Sequence, residues 1–429
     1  MASVADVFDL GSAVGRASAV VATTDGGTAA FYNPGGLGFR DRPQLRVGFE
    51  WLHSELRLKN ERVDIARPYG ILIESATPVP LQGFLKDRLA VSATLYLNPE
   101  SHLLVATPAS ATPTLPYYQN RTQRFMALVG LAARLHPNVS AGLAVNYFAG
   151  VRGQVQGSEG ASGDLQANLH EEFYGHATLN AGLQARFDAV RAGLAYRAQF
   201  SVPVSTQSQI YVADSPLALN IQADALFCPE TWVLGAAYRV GPVEAGVDLS
   251  WRRWSRYRSP YPQIDASVPR FGFAGDDQEA VKGVASTPRT RDIWRAAVFG
   301  DMTLADSLHL TAGFAYEPSP FRFDNGPANL VDGSKRVVAL GLAYRAPTWG
   351  NLDWGLEAGL QAHWMAYRRL HKDPARLPDE DPSAPGRQTS NLGYPSIAGG
   401  GLALAAVVSL VVEWLPPEPR VSSTTEVSP

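Results

Sequence analysis

Along most of this chain, apolar residues alternate one by one with polar or small residues. Leu352, Trp354, Leu356, Ala358, Leu360, Ala362 and Trp364 are interleaved with Asp353, Gly355, Glu357, Gly359, Gln361 and His363. Val243, Ala245, Val247, Leu249 and Trp251 alternate with Glu244, Gly246, Asp248, Ser250 and Arg252. Leu308, Leu310, Ala312, Phe314 and Tyr316 alternate with His309, Thr311, Gly313, Ala315 and Glu317. Successive strand side chains point to opposite faces, so each segment has one apolar and one polar or small face. Tyr or Trp closes several of the apolar rows, which suits an aromatic girdle at a membrane interface.

The pattern predicts strands at 44–58, 68–78, 89–98, 121–135, 139–152, 167–187 and 190–203. It predicts further strands at 217–240, 243–256, 291–303, 308–317, 335–346, 352–367 and 399–414. The 217–240 stretch reads as one strand broken near Cys228-Pro229, because proline has no ladder donor. That makes fourteen strands, an even number. From the fourth strand on, short links (136–138, 188–189, 241–242, 304–307, 347–351) alternate with long ones (153–166, 204–216, 257–290, 318–334, 368–398). Short turns at one end and long loops at the other mark a transmembrane barrel. Closure pairs every backbone group, as the bilayer requires, and removes sheet edges. The expected fold is therefore all-β, a 14-stranded antiparallel transmembrane β-barrel spanning 44–414.

Composition agrees once the alternation is known. The 429 residues are 45% apolar and 18% charged, with a formal charge of −3 and a mean hydropathy of −0.09. These values exclude a polytopic helical membrane protein and a disordered chain, but a barrel shows apolar residues at only every second position. The charge balance argues against a nucleic-acid partner. One cysteine, Cys228, forms no internal disulfide framework. Glycine is abundant, with 39 residues, which the pattern divides between lumen-facing strand positions and the N-terminus.

Residues 1–43 break the alternation. Glycines punctuate short Ala/Val-rich stretches, and Phe8, Leu10, Phe31 and Tyr32 carry too much apolar surface to leave in water. The segment reads as a small plug, or hatch, folded inside the lumen. Residues 415–429 are rich in Pro, Ser and Thr and read as a disordered tail. No basic start with an apolar core is present, so no signal peptide is read: either the protein is cytoplasmic or this is a mature chain with a start Met. Ile397–Val412 lacks charge but is short for a helical span and holds three glycines, Gly399–Gly401; it reads as a strand.

Residues 11–38, GSAVGRASAVVATTDGGTAAFYNPGGLG, resemble the N-terminal hatch of the FadL/TodX-type outer-membrane transporters of long-chain fatty acids and hydrocarbons. The family hatch runs through a small-residue helix to Phe-Tyr-Asn-Pro-Ala-Gly-Leu. Phe31, Tyr32, Asn33, Pro34, Gly36 and Leu37 match, and Gly35 replaces the usual Ala. HLTAGFAYEPSP with KRVVALGLAYR within 308–345, and DLSWRRWSRY at 248–257, are similar to other stretches of that family. The resemblance implies a monomeric bacterial outer-membrane barrel with a helical hatch and no cofactor. It implies passive uptake of hydrophobic small molecules: capture by extracellular loops, an apolar pocket above the hatch, and sideways exit at the third strand. The residues implicated are Phe8, Leu10, Phe31, Tyr32, Asn33, Pro34, Gly35, Asn98 and Pro99. Proline at 99 either breaks pairing to open that exit or starts the next loop. The family usually ends on an aromatic residue used in assembly; here Trp414 precedes a tail. The long loops and this tail also admit a non-transporting scaffold that binds a protein partner.

Other chemistry is sparse. His170 and His176 are six apart, not the zincin spacing, and no Ser/His motif points to an enzyme. Arg197, Arg252 and Arg295 fall on the inward face, either contacting a carboxylate head group or pairing with Glu244, Asp248 and Glu317. In Trp251–Tyr261, Arg252, Arg253, Arg256 and Arg258 suit phosphates of outer-membrane lipid, including lipopolysaccharide, with the tryptophans as interface anchors.

Overall fold

The computed structural model describes residues 7–59, 61–63, 69–98, 113–118, 125–159, 165–212, 215–257, 263–269, 278–282, 288–322, 329–373 and 395–415. Fourteen long strands form one closed sheet. They are β1 Gln44–Leu58, β2 Tyr69–Pro78, β3 Leu89–Leu97, β4 Met126–His136, β5 Val139–Glu159 and β6 Leu165–Phe187. β7 is Val190–Arg197, extended by Phe200–Val212; β8 is Ser215–Cys228 continued by Glu230–Val240. β9 Val243–Arg253, β10 Ile293–Ala305, β11 Leu308–Glu317, β12 Lys335–Arg345, β13 Leu352–His371 and β14 Ser396–Trp414 complete the wall. Neighbours pair antiparallel, and the wall closes where β1 meets β14, with Gln44 facing Glu413 and Leu58 facing Gly399. No helix among the described residues is long and apolar enough to cross a membrane; here strands do the crossing.

The alternation locates most of these strands. β1 and β11 begin and end where it places them, and the break in β8 falls at Pro229. The uncharged Ile397–Val412 run lies within β14. The differences lie at the long-loop end. Positions 204–216, read as a loop, belong largely to β7 and β8, which stay paired from Phe200↔Cys228 to Val212↔Ser215. Their sequence, with Ser205-Thr206-Gln207-Ser208-Gln209, shows no alternation. Past the membrane, neither face needs to be apolar, so the signal disappears. Two further strands extend the same end: Gln263–Pro269 pairs onto β8, and Gln278–Lys282 pairs onto Gln263–Pro269. Residues 416–429, the expected tail, lie outside the described residues.

The outward rows are apolar. On β8, Trp232, Leu234 and Tyr238 are exposed while Thr231, Val233 and Ala237 are buried. Tyr196, Trp232, Trp251 and Trp294 stand in one cross-strand row on β7 to β10. Phe187, Tyr238, Tyr344 and Trp354 lie nearer the short turns, about 20 Å of strand below. Two aromatic levels flanking an aliphatic band are the outer profile of a membrane barrel. Trp254 departs from its expected anchoring role: β9 ends in a 3-10 turn, Trp254–Arg256, that turns this indole into the lumen.

Candidate functional site

The residues before β1 fill the lumen. They form a 3-10 turn at Gly11–Arg16, one helical turn at Ala29–Tyr32 and a second 3-10 turn at Pro34–Phe39. Ala17 and Ser18 follow the first turn with φ of 48° and 58°. No longer helix forms among the described residues; small residues and glycines keep the backbone close to the wall instead.

Two glycine rows receive that backbone. On one side, a Cβ at Gly142 would come within 2.3 Å of the Pro34 carbonyl oxygen, and one at Gly193 within 2.3 Å of the Val21 oxygen. One at Gly182 would meet Asn33 Oδ1 at 2.0 Å. Gly142 pairs with Gly182 across β5 and β6, so this window spans neighbouring strands. On the other side, a Cβ at Gly313 would stand 2.5 Å from the Arg16 carbonyl carbon, and one at Gly15 would stand 2.8 Å from the Gly341 Cα. Only glycine lets the segment and the wall approach this closely.

Asn33 fastens the centre. Its Nδ2 donates to the Val21 oxygen at 2.7 Å and to the Leu183 oxygen at 2.9 Å, while its Oδ1 accepts from Gly35 N–H at 3.1 Å. It thereby caps the Pro34–Phe39 turn, whose first position suits proline, and ties that turn to β6. Other strands hold the rest. Asp248 Oδ2 accepts the Val20 and Val21 N–H groups at 2.9 and 3.0 Å. Glu74 accepts Thr28 N–H at 3.0 Å, and Asn180 donates to the Ala30 oxygen at 3.1 Å.

Toward the long loops, the lumen is apolar and aromatic. Phe8 packs edge-on against His363 at 4.9 Å and against Tyr118 at 6.0 Å. Trp254 meets Phe227, Tyr257 and Phe321 at 5.7, 5.8 and 5.9 Å. Leu10 is buried in the same cluster and donates its N–H to Tyr32 Oη at 2.8 Å. Tyr32 in turn donates to Asp9 at 3.4 Å and packs against Phe31. Burial pushes the Asp9 carboxyl above the usual carboxylate range, against the opposing pull of Arg295 and Gln361. Toward the short turns the lumen is charged. Arg46 pairs with Glu74 at 3.5 Å and Glu357 at 2.9 Å, and Arg186 with Asp25 at 3.0 Å. A cavity of about 380 Å³, lined by Arg16, Arg239, Asp301, Arg345 and Glu357 among others, opens at that end.

The three inward arginines lie where the alternation places them, each with a partner. Arg197 stacks over Phe31 at 4.6 Å. Arg252 and Arg295 approach Glu317 at 2.8 and 3.5 Å, and Arg295 also donates to the Ala17 oxygen at 2.9 Å. Of the acids expected to pair with them, Glu317 does so, while Glu244 binds Arg191 and Arg239 and Asp248 binds the N-terminal backbone. Asn98 is buried at the end of β3; Pro99 lies outside the described residues. β3 is paired with β2 from Leu97 to Ala90 and with β4 from Tyr96 to Leu89, without a bulge. His170 and His176 both fall on β6, where His176 packs against Phe200 at 5.2 Å. No group of three His, Cys, Asp or Glu is placed to hold a metal ion among the described residues.

Sequence reasoning missed Tyr117, Tyr118, Asp332 and Lys335. Lys335 Nζ stands 3.6 Å from the Tyr117 ring centre and 3.0 Å from Asp332, beside Glu317. Lys335 opens a predicted strand, a usable signal; Tyr117 and Tyr118 sit in an unpatterned connection and gave none.

Residues 178–363 match the family model described as outer membrane protein transport protein (OMPP1/FadL/TodX). The structure is similar to the toluene transporter TodX of P. putida: 14% identity, 96% of this chain, 100% of that chain, TM-score 0.59. It is similar to a FadL homologue from Pseudomonas aeruginosa: 14% identity, 94% and 97% coverage, TM-score 0.56. The toluene transporter TbuX of Ralstonia pickettii matches at 12% identity, 94% and 97% coverage, TM-score 0.53. No curated protein matches the sequence. Family model and shared fold bear out the resemblance to the FadL/TodX type and its barrel fold.

Proposed function

We propose that this chain is a passive outer-membrane channel for hydrophobic small molecules, either long-chain fatty acids or aromatic hydrocarbons. The observation that carries the reading is the divided lumen, in which an apolar, aromatic chamber lies over an N-terminal segment docked on two glycine walls. Hydrophobic ligand enters from the long loops and displaces water from that chamber, which is favourable in proportion to the apolar area removed. Residues 1–43 act as the hatch, 44–414 as the barrel and 415–429 as a tail. Phe8, Leu10, Phe31 and Tyr32 face the ligand; Asn33, Pro34 and Gly35 are the joint on which the hatch shifts.

Exit is sideways at the outer end of β3, by Asn98-Pro99, where proline withholds a ladder donor. Arg197, Arg252 and Arg295 reach a carboxylate head group only in exchange for their present partners, Phe31, Glu317 and Ala17. The protein works as a monomer without cofactor or catalysis, and its basic β9 end contacts lipid phosphates, lipopolysaccharide included. The test is uptake of radiolabelled toluene and oleate by cells with and without the chain. Faster uptake of at least one compound is expected; equal rates for both would refute the reading. The filled state of the chamber favours a second reading, a scaffold without transport, which that refutation would leave standing.

A further inference from the structure

Tyr96, on β3, is fully buried, and its hydroxyl has no hydrogen-bond partner. A buried orphan hydroxyl is costly and calls for an explanation. Its position supplies one. The ring lies over Gly70, whose Cβ, if present, would stand 2.2 Å from Tyr96 Oη. Gly70 is the direct cross-strand partner of Glu50 on β1, and directly opposed Cβ atoms are about 5 Å apart. The phenol therefore points at the space in front of Glu50. Glu50 is itself buried and pairs with no Lys or Arg among the described residues; its Oε1 accepts Gly11 N–H at 3.2 Å.

The N-terminal segment closes this corner. Asp9 accepts from Tyr32 at 3.4 Å and from Gln361 at 2.8 Å, with Arg295 acting on it from farther off. Asp9 and Gly11 hold φ of 65° and 52°, a kinked path that brings Leu10 against Tyr32 and Gly11 against Glu50. Leu52, Leu72 and Met126 belong to the surrounding apolar cluster. When Phe8–Gly11 withdraws, Glu50 and Tyr32 lose their backbone donors and face the corner together with Tyr96.

We propose that Glu50 and Tyr96, with Tyr32, form a head-group site for a neutral hydroxyl, so that the favoured ligands are hydrophobic alcohols and phenols. This rests on the reading of the chain as a channel for hydrophobic molecules, and it names the ligand class. A hydroxyl donates one hydrogen bond and accepts two, so it donates to Glu50 and accepts from Tyr96. A hydrocarbon leaves Tyr96 unsatisfied. A carboxylate adds an anion beside the acids Glu50 and Glu74, and the Arg46 guanidinium near Gly11 is already paired with Glu74 and Glu357. An ammonium group only donates and gives the Tyr96 proton no acceptor.

The test is isothermal titration of the purified full chain in detergent, corrected against protein-free micelles, with p-cresol, toluene, p-toluate and benzylamine. p-Cresol is expected to bind roughly tenfold more tightly than toluene, the usual worth of satisfying one buried polar group. p-Toluate and benzylamine should be weaker than p-cresol. Tyr96→Phe should bring the p-cresol to toluene ratio close to one. Wild-type affinities that are equal for p-cresol and toluene, or that rank p-toluate or benzylamine first, overturn the proposal whether or not the variant folds. An unchanged ratio in folded Tyr96→Phe also overturns it. Absence of binding by every compound removes the channel reading, and this inference with it; toluene binding as well as p-cresol removes the inference alone.

Discussion

At the long-loop end the lumen is occupied by Phe8, Tyr118, Phe227, Trp254, Tyr257 and Phe321, ring against ring. At the short-turn end it is occupied by Arg40, Arg46, Arg186, Arg239 and their acidic partners. Both ends are enclosed by the same strands with the same alternation. The difference comes from which inward residues each strand carries at each height, and the N-terminal segment marks the boundary. Its Phe8, Leu10 and Phe31 join the aromatic side, while its Arg16 and Asp25 join the charged side. An apolar molecule is therefore stabilised among rings on one side of the segment and meets paired charges on the other.

The sharpest way to break this contrast is at Glu317, the acid at the aromatic end. Glu317→Gln leaves Arg252 and Arg295 buried without their counter-charge, at a cost of about 3 kcal/mol or more. A lowered thermal midpoint in detergent should report it. Asn33→Ala removes hydrogen bonds to Val21, Leu183 and Gly35, together worth about 2–3 kcal/mol. Hydrogen exchange should quicken in residues 20–38 but not in the strands. Gly142→Ala thrusts a methyl toward the Pro34 oxygen and overpacks the joint by about 2 kcal/mol; raised bilayer conductance is its readout.

Asp9 offers a pH test. Its packed-state pKa is raised above the ordinary 3.8 by burial. Docking of the segment is therefore fully supported at pH below that ordinary value and weakens as pH climbs from it toward the raised one. Asp9→Asn should make the protection of the Leu10 and Gly11 amides, measured against their intrinsic exchange rates, independent of pH across that window. The smallest effect is expected from Arg42→Ala. That residue meets Asp353 at 3.4 Å with both side chains about a third exposed or more, so the thermal stability should change by less than about 0.5 kcal/mol.

Much of the wall was legible because lipid outside and packed lumen inside impose strict alternation, as on β1 and β11. The facing of Arg197, Arg252 and Arg295 followed from the same parity. Legibility stopped where one face lost its constraint. Ser205–Gln209 is strand, yet both its faces are polar in sequence. Trp254 reads as an anchor from composition, but the turn after Arg253 decides which way it points. Tyr96, Glu50 and Gly70 are unremarkable in sequence and meet only through register between β1, β2 and β3. The lumen-facing glycines were visible as a pattern; that Gly142 and Gly193 abut carbonyl oxygens depends on a backbone path that no periodicity encodes.

The seam between β1 and β14 sets an order of events during biogenesis. Gln44 can find Glu413 only after nearly the whole wall has been made and laid strand by strand. Such distant pairing is slow to form. Residues upstream of Gln44 remain outside an open sheet until that last rung is made. Closing the cylinder and trapping its own leading end are thus one step, and a chain that zips shut before residues 7–39 have swung inward would leave them stranded at the mouth.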